Sequence, residues 1–212
     1  MKTILAFGDS NLYGADAEKG DAPRLDYHER FCGILQQNLG REVRVVEDAL
    51  PGRTAMLPDP LTADRRGYEQ LRLALEIHAP VDLLILHLGT NELRPMFGLS
   101  AEMIAVSVQR LVTLARTSEF RAKRILLLAP HPLLSDYDRM RFGFLFSPGG
   151  YEKSCALAKT YEQAARAEGV CFFDCGRLKM ELNQIDGIHY SRRDIRRLAD
   201  KVTELAREIL AQ

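Results

Sequence analysis

Short apolar runs recur from one end of this chain to the other, each followed by a stretch with helical periodicity. They are Thr3-Ile4-Leu5-Ala6-Phe7, Val43-Arg44-Val45-Val46, Val81-Asp82-Leu83-Leu84-Ile85-Leu86-His87-Leu88, Ile125-Leu126-Leu127-Leu128-Ala129 and Val170-Cys171-Phe172-Phe173. A run that stays apolar, instead of alternating with polar residues, reads as a strand covered on both faces. Buried strands alternating with helices predict a parallel sheet sandwiched between helical layers. The expectation is a single α/β domain over residues 1–212 with five parallel strands. The run from Val81 to Leu88 belongs near the sheet centre. No linker, internal repeat or low-complexity segment interrupts the pattern.

The intervening segments carry helix signals. Asp26-x-x-Glu29 has the form of a capping box, opening a helix with Tyr27, Phe31, Leu35 and Leu39 on its apolar face and Gly40 at its end. A helix from about Asp64 carries Leu71, Leu75 and Ile77 and stops before Pro80. Ser100 caps a helix with Ile104, Val108, Leu111 and Ala115 at helical spacing. Tyr151 to Ala167 forms another, ended by Gly169, and Ser191-x-x-Asp194 caps the last. A loop with Gly14, Gly20 and Pro23 follows the first strand. The segment from Pro130 to Gly150 is longer than connections in compact domains usually are. Its Phe142, Phe144, Leu145 and Phe146 fit a wall of a substrate pocket or a patch for a partner subunit equally well.

Charge and cysteine content exclude several classes. The 29 basic and 29 acidic side chains cancel, which argues against a nucleic acid or an anionic membrane as partner. The basic stretch Arg192-Arg193-Asp194-Ile195-Arg196-Arg197 is diluted by acids and reads as a solvated helix face. No segment is long and apolar enough for a membrane span, and the run at 3–7 is too short for a signal peptide. Cys32, Cys155, Cys171 and Cys175 include no Cys-x-x-Cys pair and read as reduced, mostly buried thiols. A cytoplasmic protein without metal or other cofactor is expected.

Chemistry is concentrated where the runs end. The first stops at Gly8-Asp9-Ser10, placing Ser10 in the loop beyond a strand's carboxyl end, where open α/β sheets bind ligands. Alone, this motif reads as an ordinary polar turn. A nucleophilic serine needs a histidine base, an acid to orient it and donors for an oxyanion. Of the five histidines, His78 reads as a surface residue and His87 as a core one; His28 lies in a helix's first turn and His131 could touch a pocket. His189 sits in Asp186-Gly187-Ile188-His189, where an acid three residues earlier can turn back onto Nδ1. Asn91, after Gly89-Thr90, and Gly52, after Pro51, stand at the ends of the third and second runs and could supply donors. Each also has a plain role in bracing its own turn.

Taken in order, Gly8-Asp9-Ser10, Gly52, Gly89-Thr90-Asn91-Glu92 and Asp186-x-x-His189 resemble the four sequence blocks of the SGNH hydrolases, also called the GDSL esterase/lipase family. Gly52-Arg53-Thr54, Arg66-Gly67 and Leu88-Gly89-Thr90-Asn91-Glu92 resemble the subgroup of bacterial arylesterase/acyltransferases and acetyl esterases. The resemblance covers nearly the whole chain. It implies a flavodoxin-like three-layer α/β/α sandwich. It also implies Ser10 as nucleophile, His189 as base and Asp186 as its orienter. The Ser10 and Gly52 N–H groups and the Asn91 amide would form the oxyanion hole. Tyr13 stands where relatives often carry tryptophan, and Glu92 where many carry aspartate. Asp9, Tyr13, Arg53, Glu92 and His131 are the expected substrate contacts.

The expected reaction is hydrolysis of a short-chain acyl ester, or acyl transfer, with a small-molecule ester as partner and a homo-oligomer as the assembly. A carbohydrate O-acetyl esterase and a lysophospholipase or thioesterase of the same fold are the catalytic alternatives. The non-catalytic alternative is a flavodoxin-like binding module. Against that module, Gly-x-x-x-x-Gly-Lys-Ser/Thr and Gly-x-Gly-x-x-Gly are both missing.

Overall fold

A computed structural model describes residues 1–19 and 24–212. Gly20 and Pro23 of the first loop lie outside them. Five strands form one sheet: β1 (Lys2–Gly8), β2 (Val43–Ala49), β3 (Leu83–His87), β4 (Arg124–Ala129) and β5 (Cys171–Asp174). Their order is β2-β1-β3-β4-β5, and every pair is parallel. Parallel neighbours cannot be joined by tight hairpins, so each connection carries a helix across a face of the sheet. The principal helices are α1 (Ser10–Tyr13), α2 (Phe31–Leu39), α3 (Gly67–Ile77), α4 (Ala101–Thr117), α5 (Gly143–Phe146), α6 (Gly150–Glu168) and α7 (Arg192–Leu210). This is the parallel sheet between helical layers expected from the apolar runs, and the flavodoxin-like three-layer sandwich that the family resemblance implies.

Alternation along the strands divides the core. Leu5, Phe7, Leu84, Leu86 and Leu127 point to one face, where Leu71 and Leu75 of α3, Ile104 and Val108 of α4 and Leu157 of α6 cover them. Ile4, Ala6, Leu83, Ile85 and Leu126 point to the other and meet Phe31 and Leu35 of α2 and Ile195, Leu198 and Val202 of α7. All five residues of β3 are buried, as its central place requires. Truncating one of its leucines to alanine would cost about 2–5 kcal/mol.

Register gathers the site. Gly8 of β1 lies opposite Ala49 of β2 on one side and His87 of β3 on the other. The three strands therefore end level, and the residues after them emerge at one edge. The chain winds in opposite directions from β1, to β2 and to β3, so this edge is the topological switch point.

Several local expectations shift. Asp26 makes no side-chain cap bond; residues Tyr27–Glu29 form a separate 3-10 turn, and Arg30 is extended before α2 starts at Phe31. The helix begins where burial begins, and Tyr27 is left exposed. The helix expected from Asp64 starts at Gly67, because Thr54 N–H bonds Arg65 O and Gly67 N–H bonds Thr54 O, holding that stretch as a bridge. Ile77 is exposed, off the apolar face of α3. The long 130–150 segment holds a 3-10 turn (Tyr137–Arg139) and α5. The Ser100 and Ser191 caps form as expected, each hydroxyl accepting an N–H three residues on. Of the cysteines, Cys32 and Cys175 are buried, Cys171 is half-buried and Cys155 is exposed; all are free.

Candidate active site

Ser10 opens the single-turn helix α1 directly after β1, and Asp9 caps it, Oδ1 accepting the Asn11 N–H at 3.0 Å. The first N–H groups of a helix lack intrahelical acceptors, so the Ser10 N–H is free to serve a ligand. Asn11 ties this turn to a distant one, its Oδ1 accepting the Tyr190 N–H at 2.9 Å.

The loop before α7 is built around Asp186, which is wholly buried. Its Oδ1 accepts the N–H groups of Ile188 and His189, both at 2.9 Å. Gly187 closes the turn at φ +67, a conformation that favours glycine. Asp186 Oδ2 is thus left facing His189 Nδ1 at 2.7 Å, and His189 Nε2 lies 3.0 Å from Ser10 Oγ. An ionised carboxylate only accepts, so Nδ1 carries the proton and Nε2 is the acceptor for the serine hydroxyl. Burial alone would raise the Asp186 pKa. The bonds from the His189 ring and the two N–H groups outweigh it and hold the carboxyl below its ordinary value.

Two further groups arrive from β2 and β3. Leu50 to Arg53 form a turn closed by Arg53 N–H to Leu50 O at 3.1 Å, with Pro51 second and Gly52 third at φ +78. That is the type II turn, whose third position needs positive φ. The Gly52 N–H has no acceptor among the described residues. Asn91 donates one amide hydrogen from Nδ2 to Arg53 O at 3.1 Å, leaving the second for the cavity. Ser10, Gly52, Asn91 and His189 all line one cavity of about 220 Å³.

The expected substrate contacts sit elsewhere, and none of the five lines this cavity. Arg53 follows Gly52 in the turn, so its side chain points back to the strand ends. There it donates to Gly8 O, to Asp48 and to Gln70 Oε1, and it stacks on Phe7. Glu92 is fully buried beneath the site and accepts the Ala55 N–H. Burial pushes its pKa up to about 7. Asp9 lies buried under Ser10, its carboxyl raised above the usual range by burial. Tyr13 stacks against the Arg24 guanidinium. The ring of His131 bonds Pro132 O at 2.7 Å, Nδ1 donating. His87 is the core residue expected, Nε2 lying 2.9 Å from Tyr190 Oη. Asp9 Oδ2, His87 Nδ1, Thr90 Oγ1 and Glu92 Oε2 are buried without a hydrogen-bond partner among the described residues, though His87 Nδ1 lies 3.9 Å from Asp9 Oδ1.

Other side chains line the cavity. Phe142, Leu145 and Phe146 of the long segment, with Ile188, form an apolar wall; Asp59, Thr62, Thr90 and Arg94 form a polar one. The aromatic cluster was visible in the sequence as a possible pocket wall. Asp59 and Arg94 were not singled out, because nothing local marks two residues that pair across the chain. Among the described residues, no cluster of three or more His, Cys, Asp or Glu side chains could hold a metal ion. No helix there is long and apolar enough to cross a membrane.

A doubly wound parallel sheet with a cleft at its switch point defines a broad class of ligand-binding α/β proteins. The chain belongs to the GDSL-like lipase/acylhydrolase family, whose model matches residues 6–193, and it is an ester hydrolase of that family. It is 32% identical to the aryl esterase of M. smegmatis, with a TM-score of 0.91 over 99% of this chain and 100% of that one. A carbohydrate acetylesterase from Sinorhizobium meliloti is 31% identical, with a TM-score of 0.89 over 99% of this chain and 100% of that one. A lipase/acylhydrolase from Enterococcus faecalis, at 17% identity and a TM-score of 0.72 over 100% and 96%, shares the fold. Among curated proteins, none matches the chain by sequence.

Proposed function

We propose that the chain hydrolyses short-chain acyl esters through an acyl-enzyme on Ser10, with His189 as base and Asp186 as its orienter. The observation that carries this reading is the alignment of His189 between Asp186 Oδ2 at 2.7 Å and Ser10 Oγ at 3.0 Å. His189 Nε2 takes the hydroxyl proton as Oγ attacks the ester carbonyl. Asp186 holds the tautomer and stabilises the imidazolium. The oxyanion collects hydrogen bonds from the Ser10 and Gly52 N–H groups and the Asn91 amide. The C–O bond to the alcohol then breaks as His189 returns the proton to the leaving oxygen. Water, activated by the same nitrogen, releases the carboxylic acid and regenerates Ser10; a second alcohol in its place gives acyl transfer.

The cavity supports small acyl groups. A volume of about 220 Å³ must hold the ester and part of the alcohol. Each methylene left in water forgoes about 0.8 kcal/mol of burial. Phe142, Leu145 and Phe146 supply an apolar face for a ring-bearing alcohol. Acetyl and propionyl aryl esters are therefore the preferred substrates, and kcat/KM across p-nitrophenyl esters from acetate to laurate tests it. An optimum at octanoate or longer would overturn it. A fluorophosphonate reagent tests the mechanism, with one adduct expected, on the peptide containing Ser10.

The polar wall favours a second reading, a carbohydrate O-acetyl esterase, because Asp59, Thr62 and Arg94 suit sugar hydroxyls. Competition between acetylated sugars and aryl acetates separates the two. Exposed Leu61, Met96 and Phe144 support a homo-oligomer, which sedimentation tests. Free thiols and balanced charge support a cytoplasmic location, which cell fractionation tests.

A further inference from the structure

Arg94 lies three residues beyond Asn91, and its side chain turns back along the cavity. Nε donates to Asn91 O at 2.9 Å, and Nη2 donates to Asp59 Oδ2 at 2.7 Å. Both partners are buried, with Arg94 6% and Asp59 8% exposed. Asp59 is itself fixed, Oδ1 accepting the Leu61 N–H at 2.8 Å. Burial would raise its carboxyl, but the bonds from Arg94 and from Leu61 hold it below its ordinary value. The guanidinium is therefore locked in one orientation by two independent elements. One nitrogen, Nη1, makes no bond to the described residues.

A guanidinium so placed presents a fixed N–H donor to whatever fills the cavity. Its charge is already balanced by Asp59, which argues for an uncharged acceptor. A carboxylate would have to approach the Asp59 oxygens as well, and like charges in a buried site repel strongly. An alkyl chain would leave the donor desolvated and unpaired, which is also unfavourable.

We infer that Arg94, locked by Asp59 and the Asn91 carbonyl, is a specificity-determining residue that selects esters carrying a second, uncharged oxygen acceptor near the scissile bond. An ether, hydroxyl or carbonyl oxygen would serve, on the acyl or on the alcohol side. The inference rests on the Ser10 mechanism above and names the substrate class of that same site.

Two isosteric pairs test it. On the acyl side, p-nitrophenyl methoxyacetate is compared with p-nitrophenyl butyrate; on the alcohol side, 2-methoxyethyl acetate is compared with butyl acetate. Each kcat/KM is divided by the ester's hydroxide-catalysed rate, which removes intrinsic reactivity. The wild-type protein should favour the ether member of at least one pair by about tenfold, the size of one hydrogen bond to a charged donor. The pair that responds identifies the side. In Arg94→Met that preference should disappear, and in Arg94→Lys it should be partly kept. Asp59→Asn should raise activity on p-nitrophenyl hemisuccinate relative to the valerate, because it uncovers the guanidinium charge. No preference in either pair in the wild-type protein overturns the inference without recourse to any variant, as does an unchanged preference in an active Arg94→Met. Failure of the Ser10 mechanism looks different: fluorophosphonate would not label Ser10, and Ser10→Ala would keep its esterase activity.

Discussion

His189 Nε2 lies 3.0 Å from Ser10 Oγ across a sequence separation of 179 residues. The two side chains come from opposite ends of the chain. Ser10 is carried by the strand end of β1. His189 is carried by a loop that Asn11 pins through the adjacent Tyr190 N–H. The serine's own neighbour therefore helps to fix the loop that brings His189 to it.

Ser10→Ala should lower kcat by several orders of magnitude, on the order of 10⁴ to 10⁶, with the far-UV circular dichroism unchanged. His189→Ala should be about as damaging, because members of such a set act together. His28→Ala and His78→Ala should be nearly silent, since both lie away from the cavity. Steady-state kinetics on p-nitrophenyl acetate measure all four. Near-normal turnover in Ser10→Ala would end the proposed mechanism.

Asp186→Asn should reduce kcat by about 10⁴, because an amide facing Nδ1 favours the wrong tautomer. It should also change acid stability. The folded pKa of Asp186 is depressed, so its contribution to stability is fully present above the unfolded value and is lost as pH falls through the folded one. Urea unfolding at neutral pH and below pH 4 should show the gap between wild type and variant narrowing in acid. A gap that widens in acid would contradict the sign.

Glu92→Gln should behave oppositely. Burial raises the folded pKa of Glu92 to about 7, so the native state holds a proton that the unfolded state has released. Wild-type stability should then fall as pH rises from about 4.5 through 7, by up to a few kcal/mol. The variant keeps an acceptor for the Ala55 N–H and carries no charge. Its melting temperature should gain on the wild type as pH rises from 5 to 8, and equal slopes would refute the buried, protonated carboxyl.

Phe142 lines the cavity with φ at +68, a left-handed conformation that a bulky side chain disfavours. Phe142→Gly removes both the strain and the aromatic wall. Melting temperature should be nearly unchanged, while kcat/KM for phenyl acetate falls by about tenfold relative to ethyl acetate, the loss of roughly 1.4 kcal/mol of aromatic contact. Phe144→Ser should leave that ratio alone, because Phe144 is 76% exposed and does not line the cavity. A ratio that moves only in Phe144→Ser would place the alcohol outside this wall.

The layered fold and the groups gathered at the sheet's carboxyl edge were legible in the residues. The apolar runs predicted five buried parallel strands because a strand covered on both faces has no polar side to show, and β3 is buried throughout. Ser10, Gly52, Asn91, Asp186 and His189 were legible as candidates because each stands at a strand end or in a tight turn and because the ordered set resembles the blocks of one family, whereas each motif alone reads as an ordinary turn. Asp186 reaches His189 within one turn, an interaction that its spacing alone makes possible.

The pocket walls were decided by the tertiary structure. Arg53 adjoins Gly52 in sequence, yet its guanidinium leaves the cavity for the carbonyl oxygen of Asp48 in the preceding strand and for that of Gly8 at the end of β1, 45 residues away. Glu92 adjoins Asn91, yet it turns inward to the Ala55 N–H. Arg94 faces the cavity because Asp59, 35 residues away, is there to hold it. By itself the sequence determined the sheet and the groups at its carboxyl edge, since periodicity and turn chemistry act over a few residues. Which side chains surround those groups depends on partners brought from afar by the packed sheet, and that only the tertiary structure decided.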